Sequence, residues 1–252
     1  MTASCVLLLS VFGVHTAFAY LKEKPPFMRV CYTSDPSFTR CSTEAVQQVF
    51  SNIQKGFPGT GIEPVDPLNI PEIKLLQGAD GPITLNASMV NVTVTGLSNV
   101  KIESNNVNLE DYGFTTRLKI PKLRIEGLYT VNGRILVLPL TGHGDAWLEP
   151  EDLNVMAHVE VSMRVVDDIK FFKPEGVHVN FTIGSLRLRL DNLFNGLKAL
   201  EERTNDYINI NWRPVVESLK PILSRIVAGF LSGILTNVFE NIPAKYFIGD
   251  LS

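Results

Sequence analysis

Cysteine, histidine and tryptophan are scarce in this chain of 252 residues, with three, four and two copies respectively. Each scarcity closes a class of chemistry. The histidines beyond the N-terminal segment are His143, His158 and His178. His158 and His178 fall on the polar phases of alternating segments and read as solvated side chains. His143 lies in LTGHGDAW, where Gly142 and Gly144 suggest a turn or bulge. His143 with Asp145 supplies two ligands, too few for a metal site. A G-x-S-x-G nucleophile elbow is missing, because Gly96-Leu97-Ser98-Asn99 breaks the pattern at its last position. No glycine loop suited to phosphate occurs either. Glu149, Glu151 and Asp152 flank Pro150 and read as a solvated acidic loop rather than a catalytic pair. An enzyme is not expected, and neither cofactor nor metal is implied. Lysine and arginine (23) do not outnumber aspartate and glutamate (26), and no basic stripe with interleaved aromatics appears. Nucleic acid is therefore not an expected partner.

What the chain does have begins at its N-terminus. MTASCVLLLSVFGVHTAFA is apolar from Val6 to Val14 and closes on Ala17-Phe18-Ala19. That is the pattern of a secretory signal peptide over residues 1–19. The apolar run is too short for an N-terminal anchor. Residues 20–252 are then expected to form a single extracellular domain. Cys5 leaves with the signal, so Cys31 and Cys41 remain, in a compartment that permits disulfides. A two-cysteine metal site would need further cysteine or histidine ligands nearby, and none is close. Three N-x-S/T sequons, at Asn86, Asn91 and Asn180, are candidate glycosylation sites on exposed faces.

Between these landmarks the periodicity changes twice. From Ser42 to Lys55, Ala45, Val46, Val49, Phe50 and Ile53 recur at helical spacing, and Gly56 ends the pattern. GFPGTGIEPVDPLNIPE follows, which is neither regular helix nor central strand. From about Ile73 to Asp191 the period becomes two. Val155, Ala157, Val159, Val161, Met163 and Val165 alternate with polar neighbours, as do Val177, Val179, Phe181 and Ile183. Asn132-Gly133, between LYTV and RILVLPL, reads as a hairpin turn. Short turns between such strands predict a long antiparallel sheet with one wet face. Helix returns over Asn192–Ile208 and from Trp212 to about Phe239, with Pro214 in the first turn and Pro221 as a kink. The fold class is α+β.

The last helix is unusual in its stripe. Ile222, Leu223, Ile226, Val227, Phe230, Leu231, Ile234, Leu235, Val238 and Phe239 come as pairs every four residues. Four residues advance about 400° on a helix, so the stripe rotates by about 40° at each repeat. Such a helix needs apolar surroundings on several sides in turn, as a curved sheet wrapped around it would provide. Its uncharged stretch, Ile226 to Phe239, is shorter than the ~18 residues of a membrane span. Arg225 precedes it, and Ser232, Thr236 and Asn237 form a polar strip. A core helix without stable membrane insertion is expected.

Several stretches in order along the chain carry a resemblance. They are C-x9-C, GFPGTGIEPVDPLNIPEIKL, GLYTVNGRILVLPLTGHGDA, LRLRLDNLFNG, NDYININWRPVVESLKPIL and FENIPAKYFI. Together they resemble the takeout and haemolymph juvenile-hormone-binding protein family of insects. One disulfide rather than two makes the chain more similar to the takeout branch. The resemblance implies a strongly curved antiparallel sheet wrapped around the long C-terminal helix, enclosing an elongated hydrophobic tunnel. It implies a secreted, monomeric carrier in haemolymph or another extracellular fluid. The cargo would be a hydrophobic small molecule such as a terpenoid hormone, a fatty acid or a similar lipid. On this reading the alternating apolar positions face the tunnel. Candidate wall residues are Val159, Val161, Met163, Val179 and Phe181 from the sheet, with Phe50, Ile226, Phe230 and Ile234 from the helices. Tyr129 and Trp147 each offer one hydrogen bond from an apolar body and are the candidate polar contacts; ordinary packing is the competing reading for both. A signalling protein with a receptor-binding surface, the lipid serving as filler, is the alternative function.

Overall fold

The computed structural model describes residues 20–56, 63–77, 83–108 and 110–251. The signal-peptide expectation for residues 1–19, and residues 57–62 of the Pro/Gly-rich connection, lie outside these described residues. The first helix, α1, spans Phe38–Asn52 and tightens into a 3₁₀ turn over Ile53–Lys55. Eight strands follow: β1 (Leu68–Gln77), β2 (Ile83–Thr95), β3 (Lys101–Val107), β4 (Phe114–Lys122), β5 (Arg124–Ile135), β6 (Leu138–Val166), β7 (Ile169–Thr182) and β8 (Ser185–Leu190). Helices α2 (Lys198–Ile210) and α3 (Trp212–Asn241) complete the chain.

Every strand pairing is antiparallel, in the order β1-β2-β5-β6-β4-β3, with β7 and β8 added on β6. β6 is the spine. It pairs with β5 and then β4 along one edge, and with β8 and then β7 along the other. A flat strand of its 29 residues would reach about 96 Å at ~3.3 Å per residue, so it must bend. Register shifts at Glu160/Val161, and in β2 and β3, supply local bends. The result is one open, curved sheet. β1 carries Pro71 and lies at the edge of the sheet, where a missing N–H is tolerated.

Three local readings of the sequence are corrected. Asn132-Gly133 is not the hairpin turn: β5 runs through it, and the chain reverses at Leu136-Val137. Gly133 serves the strand interior instead, at φ 144°, where a Cβ would sit 2.1 Å from the Thr84 carbonyl oxygen. His143 is in no turn either, because β6 continues through it. The glycine at 144 admits the segment Asp191–Leu193 across the strand; a Cβ there would meet the Asp191 oxygen at 2.5 Å. Glu149 to Asp152 also belong to β6 rather than to a loop. Glu149 pairs with Lys122 at 3.2 Å, Arg124 at 3.1 Å and Arg187 at 3.3 Å. Hydrogen bonding from Lys122 holds its carboxyl below the usual carboxylate range, against the opposing effect of burial.

Helices cover two strand edges by side-chain hydrogen bonds to backbone. On α1, Thr43 accepts from the Asn105 N–H (2.9 Å), and Gln47 accepts from the Ile102 N–H (2.7 Å) and donates to the Val100 carbonyl (3.1 Å). On α2, Asn205 accepts from the Leu190 N–H (2.9 Å) and donates to its carbonyl (3.0 Å). Asn209 does the same to Leu188 (2.8 and 2.9 Å). Removing one such amide leaves a buried strand N–H and C=O without partners. Asn205→Ala is expected to lower stability by about 1–3 kcal/mol in urea titration, whereas Glu202→Ala, on the exposed side of α2, should stay within ~0.5 kcal/mol.

Candidate functional site: an apolar cavity beside the long helix

α3 is about 45 Å long at ~1.5 Å per residue and lies along β7. Its two ends are buried, through Val215, Val216 and Ile222 at the start and Val238 and Phe239 at the finish. Its middle is not. Within its most apolar stretch, of mean hydropathy 1.6, only 17% of residues are buried. Length and hydropathy would suit a bilayer span, but both ends are packed into the protein core, which a spanning helix does not permit. Leu223, Ile226, Phe230, Leu231, Ile234 and Leu235 are each half-buried. The expectation of a plain core helix is thus met only at the ends.

The buried residues form two separate cores. The first core joins Ile208, Val215 and Val216 to Val92, Leu140 and Leu193. The second gathers Met28, Cys31, Phe38, Val159, Phe172 and Phe239 around the C-terminal end of α3. Beside this second core lies a cavity with about 1190 Å³ of atom-free space, part of it continuous with solvent. α1 contributes Val46, Val49 and Phe50; α3 contributes Ile234 and Leu235; β6 contributes Val159. The floor is aromatic. Phe239 lies 5.9 Å from Phe114, 5.5 Å from Phe172 and 5.6 Å from Phe247, with edge-on or tilted rings.

At one side of the cavity residues 22–33 meet residues 246–250. Cys31 and Cys41 form the expected disulfide, with Cα atoms 5.8 Å apart. The Cys31 N–H donates to the Phe247 carbonyl at 3.1 Å, and Gly249 N–H donates to the Cys31 carbonyl at 2.9 Å. Thr33 N–H donates to the Asp250 carboxylate at 2.9 Å, and the Tyr246 hydroxyl to the Lys22 carbonyl at 2.8 Å. The wall is apolar except at a few places. Ser42, Asn105 and Thr116 form a buried hydrogen-bonded group on it, and Arg29 and Tyr112 are the remaining polar side chains.

Of the wall candidates, Phe50, Val159 and Ile234 line this cavity. Val161 is buried in the adjoining core, with Met163 packed against it. Phe181 belongs to the first core and borders a smaller space, about 580 Å³ and partly open, beside Trp212 at the start of α3. Phe230 packs on the first core; Ile226 and Val179 are half-buried. Tyr129 and Trp147 have other partners. The Tyr129 hydroxyl donates to the Asp191 carbonyl at 2.8 Å, and burial pushes its phenol well above the ordinary tyrosine range. Trp147 lies half-buried under the Arg124 guanidinium, 4.4 Å from its ring centroid. The aromatic floor escaped sequence reasoning, since Phe114, Phe172 and Phe247 sit on three separate elements. All three sequon asparagines are exposed on the sheet. Among the described residues no group of three His, Cys, Asp or Glu side chains is placed to hold a metal.

Comparison with known proteins adds to this geometry. The family model for haemolymph juvenile hormone binding protein (JHBP) matches residues 5–249. The circadian clock-controlled protein daywake of Drosophila melanogaster is 21% identical over 230 residues, covering 88% of this chain and 87% of its own length. A Schistocerca gregaria protein named as a candidate beta-carotene binder is 22% identical over 205 residues, 78% of either chain. The crystal structure of Epiphyas postvittana Takeout 1 superposes with a TM-score of 0.76 at 23% identity, covering 87% of this chain and 98% of that one. The two share a fold.

The disulfide closes a short loop on the cavity wall, and its removal tests how far that wall depends on it. Cys31→Ser together with Cys41→Ser is expected to lower stability by about 2–3 kcal/mol, the loop-closure value for a span of this length. Denaturant unfolding of oxidised protein against the double variant measures it.

Proposed function

Because the chain belongs to the haemolymph juvenile hormone binding protein family, we propose that it is a secreted carrier that sequesters and transports a hydrophobic small molecule. The observation that supports this most directly is the half-buried apolar middle of α3. Half-buried Leu231, Ile234 and Leu235 line the cavity, so α3 leaves apolar surface there for something other than protein. At about 25 cal/mol per Å² of apolar surface withdrawn from water, filling that space is favourable for the protein and for a poorly soluble guest alike. The signal-like segment and the three exposed sequons agree with an extracellular setting. The name of the Schistocerca relative points the same way, toward an apolar cargo.

On this reading the protein is a monomeric binding module rather than an enzyme, and Phe50, Val159 and Ile234 touch the guest. The elongated tunnel of the family resemblance is the same space continued along α3 past Phe230 and Ile226 toward Phe181.

Native mass spectrometry of protein secreted from insect cells, followed by organic extraction, tests the carrier. A stoichiometric apolar molecule released on extraction is the expected result. A clean empty mass that also takes up neither fatty acids nor terpenoids would sink the proposal. A blocking variant supplies a second check: Ala45→Trp puts an indole into the cavity from α1. It is expected to weaken uptake of a fluorescent apolar probe by about ten-fold or more, equivalent to ~1.4 kcal/mol, without lowering the thermal midpoint.

A further inference from the structure

α2 is oriented against the usual sense of an amphipathic helix. A surface helix normally turns its apolar stripe toward the protein. The side of α2 that packs on β8 buries Glu201, Thr204, Asn205 and Ile208, so three of its four buried residues are polar. Specific bonds hold that side in place. Lys198 Nζ donates to Glu201 Oε1 at 2.9 Å, and the Asn205 and Asn209 amides pair with the backbone of Leu190 and Leu188. Leu197 at the N-cap, with Leu200, Tyr207 and Ile210, faces outward instead, at 63%, 45%, 42% and 80% exposure. These are four of the eleven large hydrophobic side chains exposed among the described residues, gathered between positions 197 and 210.

Their spacing makes one surface of them. Positions 197, 200, 203, 207 and 210 recur every three or four residues and so share a flank of the helix. Arg203 occupies the middle of that flank. Arg213 follows at the start of α3, its guanidinium 5.2 Å from the Trp212 ring centroid. Both arginines are exposed, and neither is ion-paired among the described residues. The acidic side chains Glu202 and Asp206 fall on the next flank round the helix.

Area and charge together choose the occupant. Even at the ~250 Å² of the largest side chains, four that are partly covered fall short of the ~800 Å² per partner of a standard protein interface. A lipid surface sets no such minimum, because the gain grows with each apolar side chain that enters it. Unpaired guanidinium groups beside those side chains complement phosphate headgroups. We infer that the outer flank of α2, with Arg203 and Arg213, is a docking surface for a negatively charged phospholipid membrane. α2 contributes no described residue to the cavity, so this docking does not depend on what the cavity holds.

The test is flotation of the secreted protein with vesicles of phosphatidylcholine alone and of phosphatidylcholine mixed with phosphatidylserine. The protein is expected to float with the mixed vesicles, less with the neutral ones, and less again as salt is raised. Leu200→Ser combined with Ile210→Ser is expected to weaken binding to both by about ten-fold or more. Arg203→Gln combined with Arg213→Gln should remove the preference for phosphatidylserine and leave binding to neutral vesicles unchanged. Leu76→Ser, at an exposed position on β1, and the cavity-blocking Ala45→Trp should both float like the native protein. All these positions but 45 are exposed, so an unchanged thermal midpoint identifies variants that fold normally. Failure to float with either vesicle overturns the proposal, and so does flotation that survives both paired substitutions. Loss of flotation in Ala45→Trp also overturns it, since lipid would then be held through the cavity. A concentration-dependent dimer in sedimentation, abolished by Leu200→Ser with Ile210→Ser while vesicles stay unbound, would assign the flank to a second copy instead.

Discussion

The geometry of the whole molecule depends on one constraint: a single strand, β6, must satisfy backbone hydrogen bonds with four partners along a length no small domain can hold straight. It accepts β5 and β4 on one edge and β8 and β7 on the other. Strand twist and the register shift at Glu160/Val161 let it bend instead of break. α3, 30 residues long, runs along β7 and is buried at both ends. The cavity lies between its C-terminal part, α1 and the sheet.

The two cores serve this arrangement in different ways. The one at the start of α3 is close-packed and fixes the helix to the sheet. The one at its end is partly aromatic, and it is assembled from segments far apart in sequence: the disulfide loop, β4, β7 and the C-terminal turn. Phenylalanine rings suit such a place, since each buries a large area with few rotatable bonds and tolerates tilted neighbours. The chain termini are tied over the same region by backbone hydrogen bonds through Cys31, so the least regular part of the fold borders the cavity.

Much of the architecture was legible because its signals are local. Period two marked the strands, and Leu186 and Leu188 are buried as their phase requires. Helical spacing marked α1 and α3, with boundaries within a few residues. Gly133, Gly144 and Pro150 misled because a glycine or proline signals a turn locally, whereas here each answers to a strand or segment crossing from elsewhere. Likewise Asn105 and Thr116 looked like polar strand residues, and only the approach of Ser42 on α1 turns them into a buried cluster. Tyr129 shows the converse. Its hydroxyl reads either as a contact for a guest or as ordinary packing, and the Asp191 carbonyl accepts from it, because the 191–193 segment lies across β6.

The asparagines of α2, at 205 and 209, have a metric consequence. Along a helix, four residues rise about 6.0 Å; along a strand, two residues rise about 6.6 Å. Side chains spaced i and i+4 can therefore address alternate strand residues as a neighbouring strand would, with a mismatch of only about 0.6 Å per step. Two rungs fit, and a third would be displaced by about 1.2 Å, enough to spoil a hydrogen bond. α2 uses two positions for this purpose. A helix docked in this way locks in steps of the two-residue strand repeat, because sliding by one strand residue would present groups that point to the other edge and break both rungs at once.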